Sequence, residues 1–193
     1  KKTAWLDKYI ERKYKNIIDR HKENNCNCNN GTMNEKPCIW VFWGQGEGYM
    51  PPLVMACYRQ LTTYNSNVQL ITNNNLHNYI HLPEIIKKKV IRGEISWANY
   101  SDIIRNSLLS KYGGLWIDAT VWVSGAIPFD RLNNVEIFSA NGIVSTSVRS
   151  IRFWTSFKYN WSTWCLWSKN SHNPLYFFVS EMLIAFAEKE NVW

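Results

Sequence analysis

The chain has 193 residues, 46% of them hydrophobic, which is enough for one domain with a core and excludes wholesale disorder. Its formal charge of +7 suits a phosphorylated small molecule or an anionic membrane face. With no arginine-rich arm and no zinc-finger spacing, nucleic acid is not expected as a partner.

Aromatic residues are unusually frequent, with 11 Trp, 10 Tyr and 8 Phe. Many must be buried, and some are free to line a site where planar ligands or sugar rings stack. Cys26, Cys28, Cys38, Cys57 and Cys165 form an odd set without regular spacing. That argues against a disulfide framework and for a reducing compartment. Cys26 and Cys28 have no second ligand pair nearby, so zinc is not expected there. No signal-peptide pattern is read, and no apolar run approaches the roughly 20 residues that span a bilayer. The expectation is a soluble, cytoplasmic protein. The start at Lys1 and the stop at "AEKENVW" suggest a domain trimmed at its C-terminus.

In chain order, residues 3–22 place Trp5, Tyr9, Ile10, Tyr14, Ile17 and Ile18 at near-helical spacing among charges. This predicts an amphipathic helix whose basic face suits peripheral contact with the inner face of a membrane. An Asn-rich loop (23–35) follows, so 1–35 reads as an N-terminal appendage and 36–193 as the main domain. "CIWVFWG" (38–44) predicts a strand and "GQGEGYMPP" (44–52) a turn. The glycines there lack the spacing of a dinucleotide-binding fingerprint, so a dehydrogenase is weakly supported. Residues 53–64 predict a helix, 67–72 a strand, and 83–93 a helix closed by Gly93. Then come a helix over 99–112, a break at Gly113-Gly114 and a strand over 115–123. Strands over 135–140 and 161–169 and a helix over 174–190, with Pro174 in its first turn, complete the pattern. The alternation predicts an α/β fold with a mostly parallel sheet flanked by helices and a ligand site beyond the strands' carboxyl ends.

Asp118 is the residue that needs explaining. In an extended strand Trp116, Asp118, Thr120 and Trp122 share one face, and Leu115, Ile117, Ala119, Val121 and Val123 the other. Large apolar groups on both faces indicate a central strand, where an unpaired carboxylate costs several kcal/mol. A cation, a basic residue or a ligand hydroxyl must meet it, unless the strand ends earlier and Asp118 sits at its mouth. In the preceding helix, capped by Asn99 or Ser101, Asp102, Arg105 and Asn106 project from one face. Taken alone, Asp102 and Arg105 read as a surface ion pair.

"ANYSDIIRNSLLSKYGGLWIDATVWV" resembles the segment of nucleotide-sugar glycosyltransferases that runs S-D-x-x-R, Y-G-G and then a D-x-D-type motif. With "IWVFWGQGEGYMPPLVMACYRQL" and "ITNNNLHNYIHLPEII", the chain resembles the capsular polysaccharide synthesis protein family over roughly 36–185. The resemblance implies a GT-A-like, Rossmann-like fold and hexosyl transfer, by analogy retaining, from a UDP-sugar to a glycan or lipid-linked glycan. It implies that Trp43 stacks on the base, that Asp102, Arg105, Asn106, Gly113 and Gly114 bind the donor, and that Asp118 and Arg105 are catalytic. Asp118 and Thr120 stand where the family holds Mn²⁺ or Mg²⁺, and Thr120 departs from the second acid of the broader pattern. That departure keeps a second reading open, a carbohydrate or nucleotide-sugar binder without chemistry. Two further stretches are candidates. His172 and Asn173 stand before a helix start, which suits a phosphate, though a plain cap is the stronger reading. The aromatics of 152–168 suit an acceptor platform, though core packing is the safer reading.

Overall fold

The computed structural model describes residues 2–24, 37–140 and 161–190. Two helices, α1 (Lys2–Lys13) and α2 (Lys15–Asn24), precede strand β1 (Ile39–Phe42). Then follow α3 (Pro52–Tyr64), β2 (Val68–Ile71), α4 (Glu84–Ile91), α5 (Trp97–Tyr112) and β3 (Gly114–Ile117). The short α6 (Phe129–Leu132), β4 (Ile137–Ser139), β5 (Cys165–Ser168) and α7 (Pro174–Lys189) complete the set.

The strands form one sheet in the order β2-β1-β3-β5-β4. β1 runs parallel to β2 and β3, while β5 is antiparallel to β3 and β4. β1 and β3 read as unbroken apolar runs because both of their faces are covered. On one face, Trp40, Phe42 and Trp116 pack with Ile86 of α4, Ile104 and Leu108 of α5 and Tyr176 of α7. On the other, Val41, Leu115, Ile117 and Trp167 pack with Leu61 of α3, Phe129 and Leu132. The result is a three-layer α/β/α arrangement.

Local chemistry sets the boundaries. Ser96 caps α5 by accepting from the Asn99 N–H at 3.1 Å, so the helix starts earlier than Asn99 or Ser101 would make it. Gly113 ends it at φ 66°. Asn173 caps α7, with Pro174 in the first turn as expected. The expected helix over 3–22 is divided at Tyr14, which is 1% exposed and turned into a core with Ile17 and Ala185 of α7.

The largest correction concerns β3, which stops at Ile117 instead of continuing to Val123. Asp118 N–H donates to the Trp164 carbonyl at 2.9 Å, and Val121 N–H then turns back onto the Asp118 carbonyl. Ala119, Val121 and Val123 still pack against the α3-side core. Their alternation records that burial, not a hydrogen-bonded ladder. Among the described residues no helix is long and apolar enough to cross a membrane.

Candidate functional site

A cleft of about 400 Å³ opens at the carboxyl ends of the parallel strands β1 and β3. Its walls come from Trp43, Gly44 and Gln45 after β1, from Trp97, Ser101 and Arg105 of α5, and from Asp118 and Thr120 after β3. Adjacent parallel strands put three chain segments side by side here, and α5 delivers its first turns to the same edge.

Arg105 organises the floor. Its side chain is 5% exposed, although its sequence suggests a surface ion pair. The Trp116 ring of β3 and the Thr163 carbonyl, from the segment before β5, cover that face of α5. The guanidinium donates to the Thr163 carbonyl at 2.6 Å through Nη1 and to Ser101 Oγ at 3.2 Å through Nη2. Nη1 lies 3.2 Å from Asp102 Oδ1, and Nη2 lies 3.4 Å from Asp118 Oδ1. The group sits over Trp116, 5.1 Å from its ring centroid. Two carboxylates, a hydroxyl, a carbonyl and an indole face therefore hold one cation in a fixed orientation.

Asp118 is met by Arg105 and by Trp116, whose Nε1 donates to Oδ1 at 2.7 Å. The pairing partner sought from the sequence is thus present within the chain. Among the described residues no hydrogen bond reaches Asp118 Oδ2, and the side chain remains 31% exposed toward the cleft. The Asp102 carboxyl is raised above its ordinary value, chiefly by burial. Arg105 opposes that rise and the charge of Asp118 adds to it. Trp43 Nε1 and Arg105 Nε are buried donors with no hydrogen-bond partner among the described residues.

The remaining residues singled out in the sequence lie elsewhere. Asn106 is buried and donates to the Asp102 backbone carbonyl at 2.8 Å, away from the cleft. Gly113 and Gly114 stand at the opposite end of β3, where Trp40 Nε1 donates to the Gly113 carbonyl at 2.9 Å. A Cβ on Gly114 would meet the Cys38 carbonyl oxygen at 2.5 Å, so the glycine allows β3 to start close against the chain leading into β1. His172 is also at that far end, its N–H donating to the Ser110 carbonyl, while Asn173 serves as a helix cap. Of the aromatic stretch 152–168, residues 152–160 lie outside the described set. Trp167 is wholly buried, and Trp161 is 46% exposed.

Four contributors were not foreseen. Trp97 and Ser101 line the cleft, and the Thr163 carbonyl fixes Arg105. The Trp116 indole had a legible signal, since it shares a strand face with Asp118 two residues on. The Thr163 carbonyl had none, because a backbone group carries no side-chain pattern.

Among the described residues no cluster of three or more His, Cys, Asp or Glu side chains is positioned to hold a metal ion. The cleft supplies one carboxylate, Asp118, with the exposed Thr120 beside it. A set this sparse fits a hard divalent cation whose remaining ligands are phosphate oxygens and water.

A family model described as capsular polysaccharide synthesis protein matches residues 1–193. No curated protein and no solved structure matches the chain.

Proposed function

Because the chain belongs to the capsular polysaccharide synthesis protein family, we propose that it is a GT-A-type glycosyltransferase that moves a sugar from a UDP-sugar onto a growing surface glycan. The observation that carries this reading is the buried Arg105, clamped between Asp102 and Asp118 at the floor of a cleft on the carboxyl edge of parallel strands.

In the transfer, the acceptor hydroxyl oxygen bonds to the anomeric carbon as the bond from that carbon to the diphosphate oxygen breaks. The electron pair leaves with the diphosphate, which also takes up the acceptor proton. Negative charge therefore develops on the leaving group. Arg105 meets that charge without reorienting, because its position is already fixed by Trp116, Ser101 and Thr163. Asp102, which does not line the cleft, holds Arg105 from behind. Trp43 offers its indole face to the base, and its unpartnered Nε1 is a donor available to a carbonyl or phosphate oxygen. Asp118, with Thr120 beside it, would hold Mn²⁺ or Mg²⁺ against the diphosphate, and the ion would neutralise leaving-group charge. Asn106, Gly113 and Gly114 have no part in this reading, since their surroundings are backbone contacts away from the cleft.

The test pairs binding with turnover. Melting temperature is measured against UDP, GDP, dTDP and their sugars with Mn²⁺, Mg²⁺ or EDTA, and release of nucleoside diphosphate is followed in parallel. A ligand at about 100 times its dissociation constant adds about 2.7 kcal/mol, a clear shift. We expect stabilisation by UDP or a UDP-sugar, release above the spontaneous rate, and at least a 100-fold loss of release in Asp118→Asn. Binding with no release favours the non-catalytic module, and a fully active, folded Asp118→Asn removes the role given to that residue.

A further inference from the structure

Tyr14 and Ile17 turn one side of α1 and α2 into the core that they share with Ala185 of α7. Along the other side runs a shallow groove of about 420 Å³, lined by Lys8, Arg12, Lys15 and Lys22 with two acids, Glu11 and Asp19, among them. From Lys8 through Arg12, Lys15 and Asp19 to Lys22 the steps are of three or four residues, so the face stays continuous past the break at Tyr14. All four cations are exposed. Among the described residues none of them forms an ion pair, whereas Lys13 and Arg20 on the flanks meet Glu190 and Glu181.

Apolar side chains stand exposed at both ends of this groove. Ile18 and Lys22 also line a second hollow of about 360 Å³, closed by His21 and by Pro174, Leu175 and Phe178 at the start of α7. Leu175 is 38% exposed there, and Phe177, whose ring centroid lies 5.1 Å from that of His21, is 48% exposed. Toward the other end Trp5 stands one turn before Lys8 and is 68% exposed, its ring stacked on Tyr9 at 5.6 Å. The Tyr9 hydroxyl donates to Glu190, just past the end of α7. Cations and exposed apolar groups thus follow α7 from one end to the other, roughly 24 Å.

We infer that this face docks on an anionic lipid bilayer. The four cations meet headgroup phosphates, while Trp5, Leu175 and Phe177 enter the boundary between headgroups and acyl chains. Two features favour a bilayer over other polyanions. Glu11 and Asp19 interrupt the stripe of cations. A strand of fixed phosphates or a folded acidic partner would have to lie against them, whereas lipids diffuse laterally and gather around the cations. Leu175 is aliphatic and offers no ring for a base to stack on, but it gains by leaving water for acyl chains. The inference stands on this face alone and does not depend on the transferase reading.

Vesicle flotation tests the inference, with phosphatidylcholine alone or with about one-third phosphatidylglycerol. The wild type is expected to float with the mixed vesicles, to stay in solution with phosphatidylcholine, and to be released as salt rises. Each cation at an anionic surface contributes about fivefold, so Arg12→Ala with Lys15→Ala is expected to weaken binding about 25-fold. Leu175→Ser with Phe177→Ser is expected to weaken it about tenfold, by an apolar route independent of charge. Lys87→Ala with Lys169→Ala removes the same charge elsewhere and is expected to stay within about threefold. The substituted side chains of the face are exposed, so both of its double variants should melt with the wild type. No flotation of the wild type with mixed vesicles overturns the inference, as does an equal loss in the control pair. A single-stranded oligonucleotide that displaces the protein from mixed vesicles, through the same Arg12 and Lys15, also overturns it and makes the face a nucleic-acid surface.

Discussion

At the scale of the residue, the candidate site centres on Arg105. Both of its carboxylate partners are about one-third exposed, so the cluster is a half-buried triad open to the cleft. Breaking a buried pair costs about 3–5 kcal/mol, and the exposure of Asp102 and Asp118 argues for the lower end. Arg105→Gln is accordingly expected to lose about 3 kcal/mol at pH 7 and to slow transfer at least 100-fold. The pH dependence has a definite sign. Burial already raises the Asp102 carboxyl above its ordinary value, and Arg105 is the influence that lowers it. Without the cation the folded state takes up protons more readily still. The stability penalty is therefore fullest above the raised pKa and shrinks as pH falls toward the ordinary carboxylate value of about 4. Urea titrations at pH 7 and pH 4.5 read this directly. A deficit that is constant or larger at pH 4.5 contradicts the assignment.

At the scale of the element, β3 links the two ends of the sheet. Its carboxyl end presents Asp118, and its start is fixed by Gly114 at φ 92° against the Cys38 carbonyl. Gly114→Ala combines left-handed backbone strain with a Cβ placed 2.5 Å from a backbone oxygen that has little room to yield. About 3 kcal/mol of lost stability is expected. Gly46 has the same φ of 92°, but a Cβ there meets nothing within 4 Å. Gly46→Ala isolates the strain alone, at about 1 kcal/mol. Comparing the denaturation midpoints of the two variants separates the overlap from the backbone term. Equal losses would show that the close approach of β3 to the chain before β1 contributes nothing.

At the scale of the whole molecule, α1 and α2 are held on α7 by an apolar contact bordered by ion pairs. Tyr14, Ile17 and Ala185 form the buried centre, and Phe186 lies 6.4 Å from Tyr14, ring to ring. At the border, Arg20 meets both oxygens of Glu181 at 2.9 Å, His21 meets the same carboxylate at 2.5 Å, and Lys13 pairs with Glu190. Magnitudes decide which matters. Emptying a large buried aromatic site costs about 3–5 kcal/mol, while an exposed pair such as Arg20–Glu181 contributes at most about 1 kcal/mol. Tyr14→Ala is expected to cost about 3 kcal/mol, and Arg20→Ala less than 1 kcal/mol, by urea denaturation. The UDP-dependent shift should survive in both. A larger effect from Arg20→Ala would mean that charge, not burial, holds the N-terminal helices.

The sequence by itself determined the order and kind of the main elements, because β-branched runs, proline and glycine punctuation and helix caps are local signals. It also brought Asp118 to the carboxyl edge of a central strand and named Arg105 as a candidate beside it. Only the tertiary structure decided that β3 ends at Ile117, since hydrophobic alternation reports burial and is silent on which backbone groups are paired. Only the tertiary structure buried Arg105, because β3 and the segment before β5 bring the Trp116 ring and the Thr163 carbonyl against that face of the helix. The carbonyls of Thr163 and Trp164, which fix Arg105 and Asp118, come from a segment more than forty residues further along the chain. Backbone groups are alike at every position, so no residue pattern announces where the fold will place them.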